Sequence, residues 1–549
     1  MGSGRRIVTT PPPSLFGDPR QARVFLHDKL IIDNFAGGGG ASTGIEQALG
    51  RAIDVAINHD AEAIALHEAN HPTTRHYNES VWNIDPRAVT EGRPVALVWL
   101  SPDCTHFSNS RGGVPVKKSI RGLAWIGTRW AATVKPDVLM LENVAEFTSW
   151  GPLIQKTGEG GAPLFDEDGQ PQMIPDPKRK GQTFKSFVRA LERLGYVVDW
   201  RELRACDYGA PTSRERLFLV ARRDGLPIIW PEPTHGDPDS DAVRAGQLRP
   251  WRTAGECIDW NVAGQSIFGR DKPLAEKTMT RLAKGLHRFV LSSDAPFIVP
   301  GRSCAANITT FQQNIIGQHP NTPLGTVMAG ATRFGAVHTE LSSLGGPLDA
   351  AFLQKYYGTG TGQTITEPLH TIGSRDTFAA ITLPLEHAYV VRQFGTATGS
   401  RADRPLGTVM AGGGGGKSGV AVSTAETITE HDAHDTLTRA RRVYALLREH
   451  HPEALNHPDV DHDRQIVTVT IGNDTRVVTD VTLRMLNPRE LYNAQGFPPD
   501  YKIDVRFGGG KLSLAAQIRM CGNSVVPAMA RALVEANLVL PSETARKAG

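Results

Sequence analysis

From Lys29 to about Arg223, short apolar runs of strand length alternate with segments in which apolar residues recur every three or four positions. KLIIDNF, AIDVAIN, PVALVWLS, PDVLMLENV, YVVDWREL and RLFLVARR read as strands, and STGIEQAL, AEAIALHEAN, RGLAWIGTRWAATV and FKSFVRALERLG as amphipathic helices. Strand and helix in strict turn predict an α/β fold. Its doubly wound, mostly parallel sheet has helices on both faces and binds ligands beyond the carboxyl ends of its strands. One stretch breaks the alternation. GPLIQKTGEGGAPLFDEDGQPQMIPDPKRKGQ, residues 151–182, is rich in Gly, Pro and both signs of charge and reads as an inserted loop.

Between about 224 and 482 the pattern changes to short β-prone runs with more Gly, Pro and Thr, which predicts a second, mainly β domain. A phrase recurs inside it: PLAEKTM at Pro273, PLGTVMAG at Pro323, PLHTIGS at Pro368 and PLGTVMAG at Pro405. Three copies follow a strand-like run (PFIVPG, AFLQKYYG and AYVVRQFG), so each copy reads as part of a small β unit. The copies are too irregularly spaced for a solenoid. Helical patterning returns in LRMLNPRELYNAQGF and SVVPAMARALVEANLVL. Residues 483–549 are therefore expected to complete the first domain, 29–223, which makes 224–482 an insertion. Residues 1–28 read as a flexible lead-in.

Composition narrows this picture only a little. A chain of 549 residues suits two domains, and 40% hydrophobic with 21% charged residues is ordinary for a globular protein. No apolar run reaches the roughly 18 residues of a membrane helix, and no apolar stretch follows the two N-terminal arginines. A cytoplasmic, membrane-free protein is expected. Five widely spaced cysteines without a CxxC pair predict neither a disulfide framework nor a metal site. With 60 Lys and Arg against 57 Asp and Glu, net charge says nothing about nucleic acid.

The candidate chemistry sits at strand ends. IIDNFAGGGGASTGIEQALG is a strand, a glycine run at 37–40 and a helix, the arrangement of a nucleotide-binding turn. A dinucleotide oxidoreductase fits it as well. NHD, residues 58–60, ends the next strand, where His59 or Asp60 could meet a ribose or simply cap a helix. VALVWLSPDCTHFS carries Cys104 into a polar turn after a strand, a setting in which a thiolate can be exposed and activated. PDVLMLENV delivers Glu142 and Asn143 to the same edge. In DYGAPTSRERLFLV, Arg214 and Arg216 stand two apart before a strand and so face one side. AGGGGGKSG at 411–419 imitates a phosphate-binding loop but lacks a following helix and reads as a repeat loop. His106 reads as a loop residue rather than a partner of Cys104.

In this order, DNFAGGGG, SPDC, ENV, SRER, LNPRELYNAQGFPPDY and GNSVVP resemble the motifs of the DNA cytosine-5 methyltransferases of bacteria and phages. The resemblance covers about 29–223 and 484–540. It implies a Rossmann-like methyltransferase domain with an inserted target-recognition domain, S-adenosylmethionine as methyl donor and double-stranded DNA as substrate. It implies Cys104 as nucleophile, with Glu142, Asn143, Arg214 and Arg216 as catalytic partners. On the donor it implies Phe35, Ala36, Gly37, Gly38, Gly39, Gly40, His59, Asp60, Asn83, Ile84, Pro102, Asn523 and Ser524. Arg121 and Gly122 look like a further family position, and 105–120 like a loop that closes over DNA. A cognate restriction endonuclease as partner and a monomeric enzyme go with this reading. RNA as substrate is the alternative within the family.

Departures from the family pattern are Asp103, Thr105 and Thr212, together with Asn83 and the residues at 59–60. Asp103 beside Cys104 disfavours a thiolate. By the resemblance, the Cys104 thiolate adds to carbon 6 of an extruded cytosine, Glu142 holds N3 and the exocyclic amine, and Arg216, supported by Arg214, binds the carbonyl oxygen.

Overall fold

The computed structural model describes residues 26, 28–103, 122–165, 169–262, 264–293, 296–297, 433–471 and 474–539, together with shorter stretches between 304 and 424. Its first part contains β1 (Leu30–Asn34), α1 (Gly40–Leu49), β2 (Val55–Asn58), α2 (Ala61–Asn70), β3 (Arg75–Asn78) and β4 (Val95–Leu100). It continues with α3 (Trp125–Thr133), β5 (Val138–Asn143), α4 (Gln182–Arg193), β6 (Val197–Arg204), β7 (Thr212–Ser213) and β8 (Glu215–Arg222). Seven of these strands form one sheet in the order β3-β2-β1-β4-β5-β8-β6. All neighbours from β3 to β5 are parallel, and β8 runs antiparallel to both β5 and β6. The strand order reverses between β1 and β4, so a crevice opens beyond their carboxyl ends.

Every residue of β1, β2, β4 and β5 is buried, which explains why these strands are continuous apolar runs rather than alternating ones. One face is covered by α1 and by α9 (Pro527–Leu538), through Ile45, Leu49, Met529 and Leu533. The other is covered by α3 and α4, through Trp130, Phe187 and Leu191. α9 thus packs on the first sheet. Residues 151–182 are more ordered than a loop, since Leu153–Gln155 pairs with Met173–Pro175 as a hairpin.

The later region holds β9 (Gln265–Ser266), α5 (Glu276–Leu286), β10 (Cys304–Thr310), β11 (Phe334–Ser342), β12 (Leu369–His370), β13 (Phe378–Leu383), α6 (Ala433–His450) and β14 (Thr482–Met485). A second sheet runs β9-β14-β13-β10-β11. The phrase at Pro273 is not a β unit: it leads into α5, whose Thr278, Leu282 and Leu286 are buried at helical spacing. The phrase at Pro405 and the segment 411–419 lie outside the described residues. Three more helices come after β14, namely α7 (Pro488–Ala494), α8 (Leu514–Asn523) and α9. Asn487 and Glu490 form a capping box at the start of α7. Glu490 also receives both terminal nitrogens of Arg484 and the backbone amide of Asp259, which fastens α7 to the later region. Among the described residues no helix is long and apolar enough to cross a membrane.

The glycine run has a packing explanation. A Cβ on Gly40 would collide with the carbonyl oxygen of Val525, and one on Gly38 would lie 2.8 Å from Ser524 Oγ. On Gly44 it would collide with the Pro527 carbonyl oxygen and lie 2.8 Å from Ala530 Cβ. Small residues let α9 lie directly against α1. Gly44→Ala is therefore expected to lower stability in urea by roughly 1–3 kcal/mol through overpacking. Gly510→Ala, with nothing within 4 Å, is expected to change it by less than about 0.5 kcal/mol. Equal midpoints for the two variants would contradict this packing.

Candidate functional site

The crevice edge is built from the ends of β1, β4 and β5. Pairing sets Asn34 beside Leu100, and Leu100 beside Leu141, so Glu142 and Asn143 extend past their neighbours at the same edge. The Asn143 side chain donates to the Pro102 carbonyl oxygen at 3.2 Å, and its own oxygen accepts from Val144 N at 2.9 Å. Asn143 thereby ties the turn after β4 to β5. Pro102 is buried and Asp103 exposed. Cys104, Arg121 and the loop between them lie outside the described residues.

Glu142, 7% exposed, meets both predicted arginines. Arg216 Nε lies 3.2 Å and an Arg214 terminal nitrogen 3.9 Å from Glu142 Oε1. All three side chains are buried, at the junction of β5 with β8. Arg214 also donates to the Gly522 carbonyl oxygen at 2.9 Å, and Arg216 to that of Glu215 at 2.8 Å. Glu142 Oε1 is held by these two ion pairs and makes no well-aligned hydrogen bond among the described residues. Three cysteines can be set aside as nucleophiles. Cys206, Cys257 and Cys521 are buried, and burial pushes each thiol above its ordinary range.

A second group surrounds the turn after β1. Phe35 has φ 64°, a left-handed conformation that a non-glycine residue adopts at a cost, and strain of this kind gathers at ligand sites. Gly37 comes two residues later with φ 51°, and a Cβ there would meet only the Phe35 oxygen, at 3.6 Å. Gly37 is thus the open member of the run, whereas Gly38, Gly39 and Gly40 are pressed against the chain's own residues 71, 501 and 520–525. Ser524 is buried against this turn and Asn523 beside it is exposed. Both side-chain polar atoms of Asn34 are buried without a hydrogen-bond partner among the described residues, an unfilled polar position at the crevice. Ile84 lies in the apolar cluster against which Phe35 packs. Asn83 is exposed and donates to Glu79.

In the NHD segment the structure shows the helix cap, one of the two readings open for Asp60. Asp60 caps α2 by accepting from Glu62 N and Ala63 N, and its other oxygen pairs with Arg519, which also holds Glu62 at 2.5 Å. The Asp60 carboxylate thus serves the helix cap and an ion pair at once. Burial favours the neutral form, but Arg519 and the helix amides outweigh it and hold Asp60 below the usual range. His59 is exposed. Asn58, which ends β2 and accepts from Asp60 N at 2.9 Å, is the polar residue at the edge itself. Its signal was present in the sequence as the last residue of the apolar run.

Below the glycine turn lies a chain of hydrogen bonds. Ser42 Oγ donates to Asp33 Oδ2 at 2.7 Å, His67 Nε2 is 2.9 Å from Ser42 Oγ, and His67 Nδ1 is 2.8 Å from His76 Nε2. Burial pushes Asp33 up to about 7, only partly countered by Ser42. Because the folded value lies above the ordinary 3.8, this group's stability contribution is complete below about pH 4 and is lost as pH rises through about 7. Asp33→Asn is accordingly expected to melt several degrees above the wild type at pH 8, with the gap closing towards pH 4. A pH-independent gap in thermal melts would contradict the assignment.

Comparison with known proteins places the chain in a family. The model of the C-5 cytosine-specific DNA methylase family matches residues 30–150, 176–249 and 418–538, more than half of the chain. The type II methyltransferase M.AgeI of Thalassovita gelatinovora is 29% identical over 37% of this chain and 42% of its own length. For M.AquIA of Picosynechococcus sp. the figures are 28%, 42% and 88%, and for M.XorII of Xanthomonas oryzae pv. oryzae 30%, 39% and 45%. The chain thus spans less than half the length of two of these three relatives. Among solved structures, the S. pombe Dnmt2 methyltransferase aligns over 92% of this chain and 97% of its own at 12% identity, with a TM-score of 0.39. On the strength of the family match, which takes in the glycine turn, the strand carrying Glu142 and the two arginines, the chain belongs to the C-5 cytosine-specific DNA methylase family.

Proposed function

We propose that this protein methylates carbon 5 of cytosine in double-stranded DNA, with S-adenosylmethionine as donor and Cys104 as covalent nucleophile. The observation that carries the reading is the buried trio of Glu142, Arg214 and Arg216, in which both guanidiniums face one Glu142 oxygen, beside the turn that leads to Cys104. Cytosine offers an amine donor, a ring nitrogen and a carbonyl acceptor along one edge. A carboxyl 3.2 Å from a guanidinium matches that edge, the carboxyl taking the amine and N3, and Arg216 taking the carbonyl oxygen. Arg214 also reaches Glu142 and ties the trio to the carbonyl of Gly522.

The sulfur of Cys104 adds to carbon 6, and the electron pair released makes carbon 5 a nucleophile. The donor supplies an electrophilic methyl group. Loss of the proton from carbon 5 then restores the ring and expels the thiolate. Asn143, through Pro102, holds the turn two residues before the sulfur. Phe35, Ala36 and Gly37 would hold the donor with Asn58, Ile84, Asn523 and Ser524, while Gly38–Gly40 keep the turn in place. Since carbon 6 is inaccessible in a stacked duplex, the base must be extruded, at a cost of a few kcal/mol. The 224–482 region would grip the DNA.

Labelled donor and DNA test the reading directly. Wild-type protein is expected to transfer label to DNA and to form a covalent adduct with a 5-fluorocytosine oligonucleotide, and Cys104→Ala to do neither while still binding donor. Arg216→Ala is expected to reduce transfer by about a hundredfold. Absence of adduct from folded, donor-bound wild type would overturn the proposal, and labelling of RNA alone would redirect it. Asp60→Ala is expected to lower stability by about 1 kcal/mol through the lost cap, with donor affinity unchanged within about twofold. A large loss of donor affinity would restore Asp60 to the donor site.

A further inference from the structure

The PLxT phrases are the one repeated feature that the proposed chemistry leaves unused, and the structure brings two of them to the arginines. β7 pairs in parallel with β12, Leu369 standing opposite Thr212 and His370 opposite Ser213. Thr212 also forms a parallel bridge with Leu324, whose backbone N–H donates to the Pro211 carbonyl oxygen at 2.8 Å. A strand has two edges, so one phrase occupies each. The leucine of PLxT is the residue opposite Thr212 in both copies, which identifies a repeated docking role rather than a chance contact.

The residues immediately after β7 give this role its consequence. Arg214 comes next in the chain, its backbone N–H donating to Thr212 Oγ1 at 3.2 Å, and Arg216 two residues later; both reach Glu142. β7 is only two residues long, so the partners on its two edges contribute to where the arginines begin, together with the Ala205 N–H that donates to the Arg214 carbonyl oxygen at 2.8 Å. The phrase at Pro323 is itself braced. Gln318 Nε2 donates to the Pro323 carbonyl oxygen at 2.8 Å and to Thr322 Oγ1 at 3.0 Å. The backbone of Gln318 exchanges hydrogen bonds with Ile308 of β10, at 3.0 and 3.2 Å. A continuous path of backbone pairing and buried side chains therefore runs from the second sheet through Leu324 to Thr212 and on to Glu142.

We propose that Pro323–Thr326 and Leu369–His370, from two of the PLxT phrases, are the two jaws of a clamp on β7, through which the DNA-gripping region sets the position of Arg214 and Arg216. Leu324 and Leu369 are positioning residues. The proposal rests on the reading of those arginines as the groups that hold the target base.

Leu324→Ala, Leu369→Ala and the conservative Leu324→Met test it, with Arg216→Ala alongside. Single-turnover methyl transfer at saturating DNA is expected to fall roughly tenfold to a hundredfold in each alanine variant, because small misplacements of a gripping group carry that cost. Affinities for S-adenosylmethionine and for DNA should stay within about twofold of wild type, and Leu324→Met should recover most of the rate. Wild-type rates in both alanine variants would overturn the clamp, and so would a parallel loss of donor affinity, DNA affinity and rate, which marks a merely structural role. An impaired Arg216→Ala beside an unimpaired Leu324→Ala would sink the clamp alone. A fully active Arg216→Ala would sink the reading beneath it.

Discussion

A carboxylate and two guanidiniums taken out of water at the end of β5 are the constraint around which the rest is organised. Leaving any one of the three alone in a buried site would cost several kcal/mol, so they hold together only while all their carriers are in place. Glu142 comes from β5, the arginines from the junction of β7 and β8, and the Gly522 carbonyl that receives Arg214 from the C-terminal tail. The cluster therefore joins segments that are hundreds of residues apart in the chain. It also explains why the tail must return to the first sheet, and why the later region touches the arginine strand at its root.

The two groups of residues at the crevice are linked through the same backbone. Ser101 N donates to the Asn34 carbonyl oxygen at 3.3 Å, and Asn143 holds Pro102, so the turn leading to Cys104 is tied on one side to β1 and on the other to β5. Behind the strained Phe35, the Asp33–Ser42–His67–His76 chain fills the space under the turn with hydrogen bonds instead of apolar side chains. Burial also keeps His67 well below its ordinary range, reinforced by His71 and His76, so the network is neutral at the histidine end.

Several residues have a different use from the one their motif suggests. Glycines 38, 39 and 40 are small because Tyr501, Met520 and Val525 press against them, and only Gly37 is left facing open space. Asp60 is consumed by the cap of α2 and by Arg519, which lies in α8, more than four hundred positions away. The phrase at Pro273 leads into a helix although its copies at 323 and 368 supply bridges to β7. In each case a residue distant in the chain made the choice, which no local pattern records.

The sequence by itself determined the succession of strands and helices in the first part and the polar residues at the strand ends. Apolar periodicity reports burial directly, and polar residues terminating apolar strands stand out at once. Glu142, Asn143, Arg214 and Arg216 were legible for that reason. Only the tertiary structure decided that the two arginines converge on one oxygen of Glu142 and that Asn143 serves as a strut to Pro102. It alone decided that Asp60 is paired with Arg519, and that two PLxT copies flank one two-residue strand. Those outcomes depend on contacts between segments far apart in the chain, and spacing along a sequence carries no information about which distant backbone will arrive beside it.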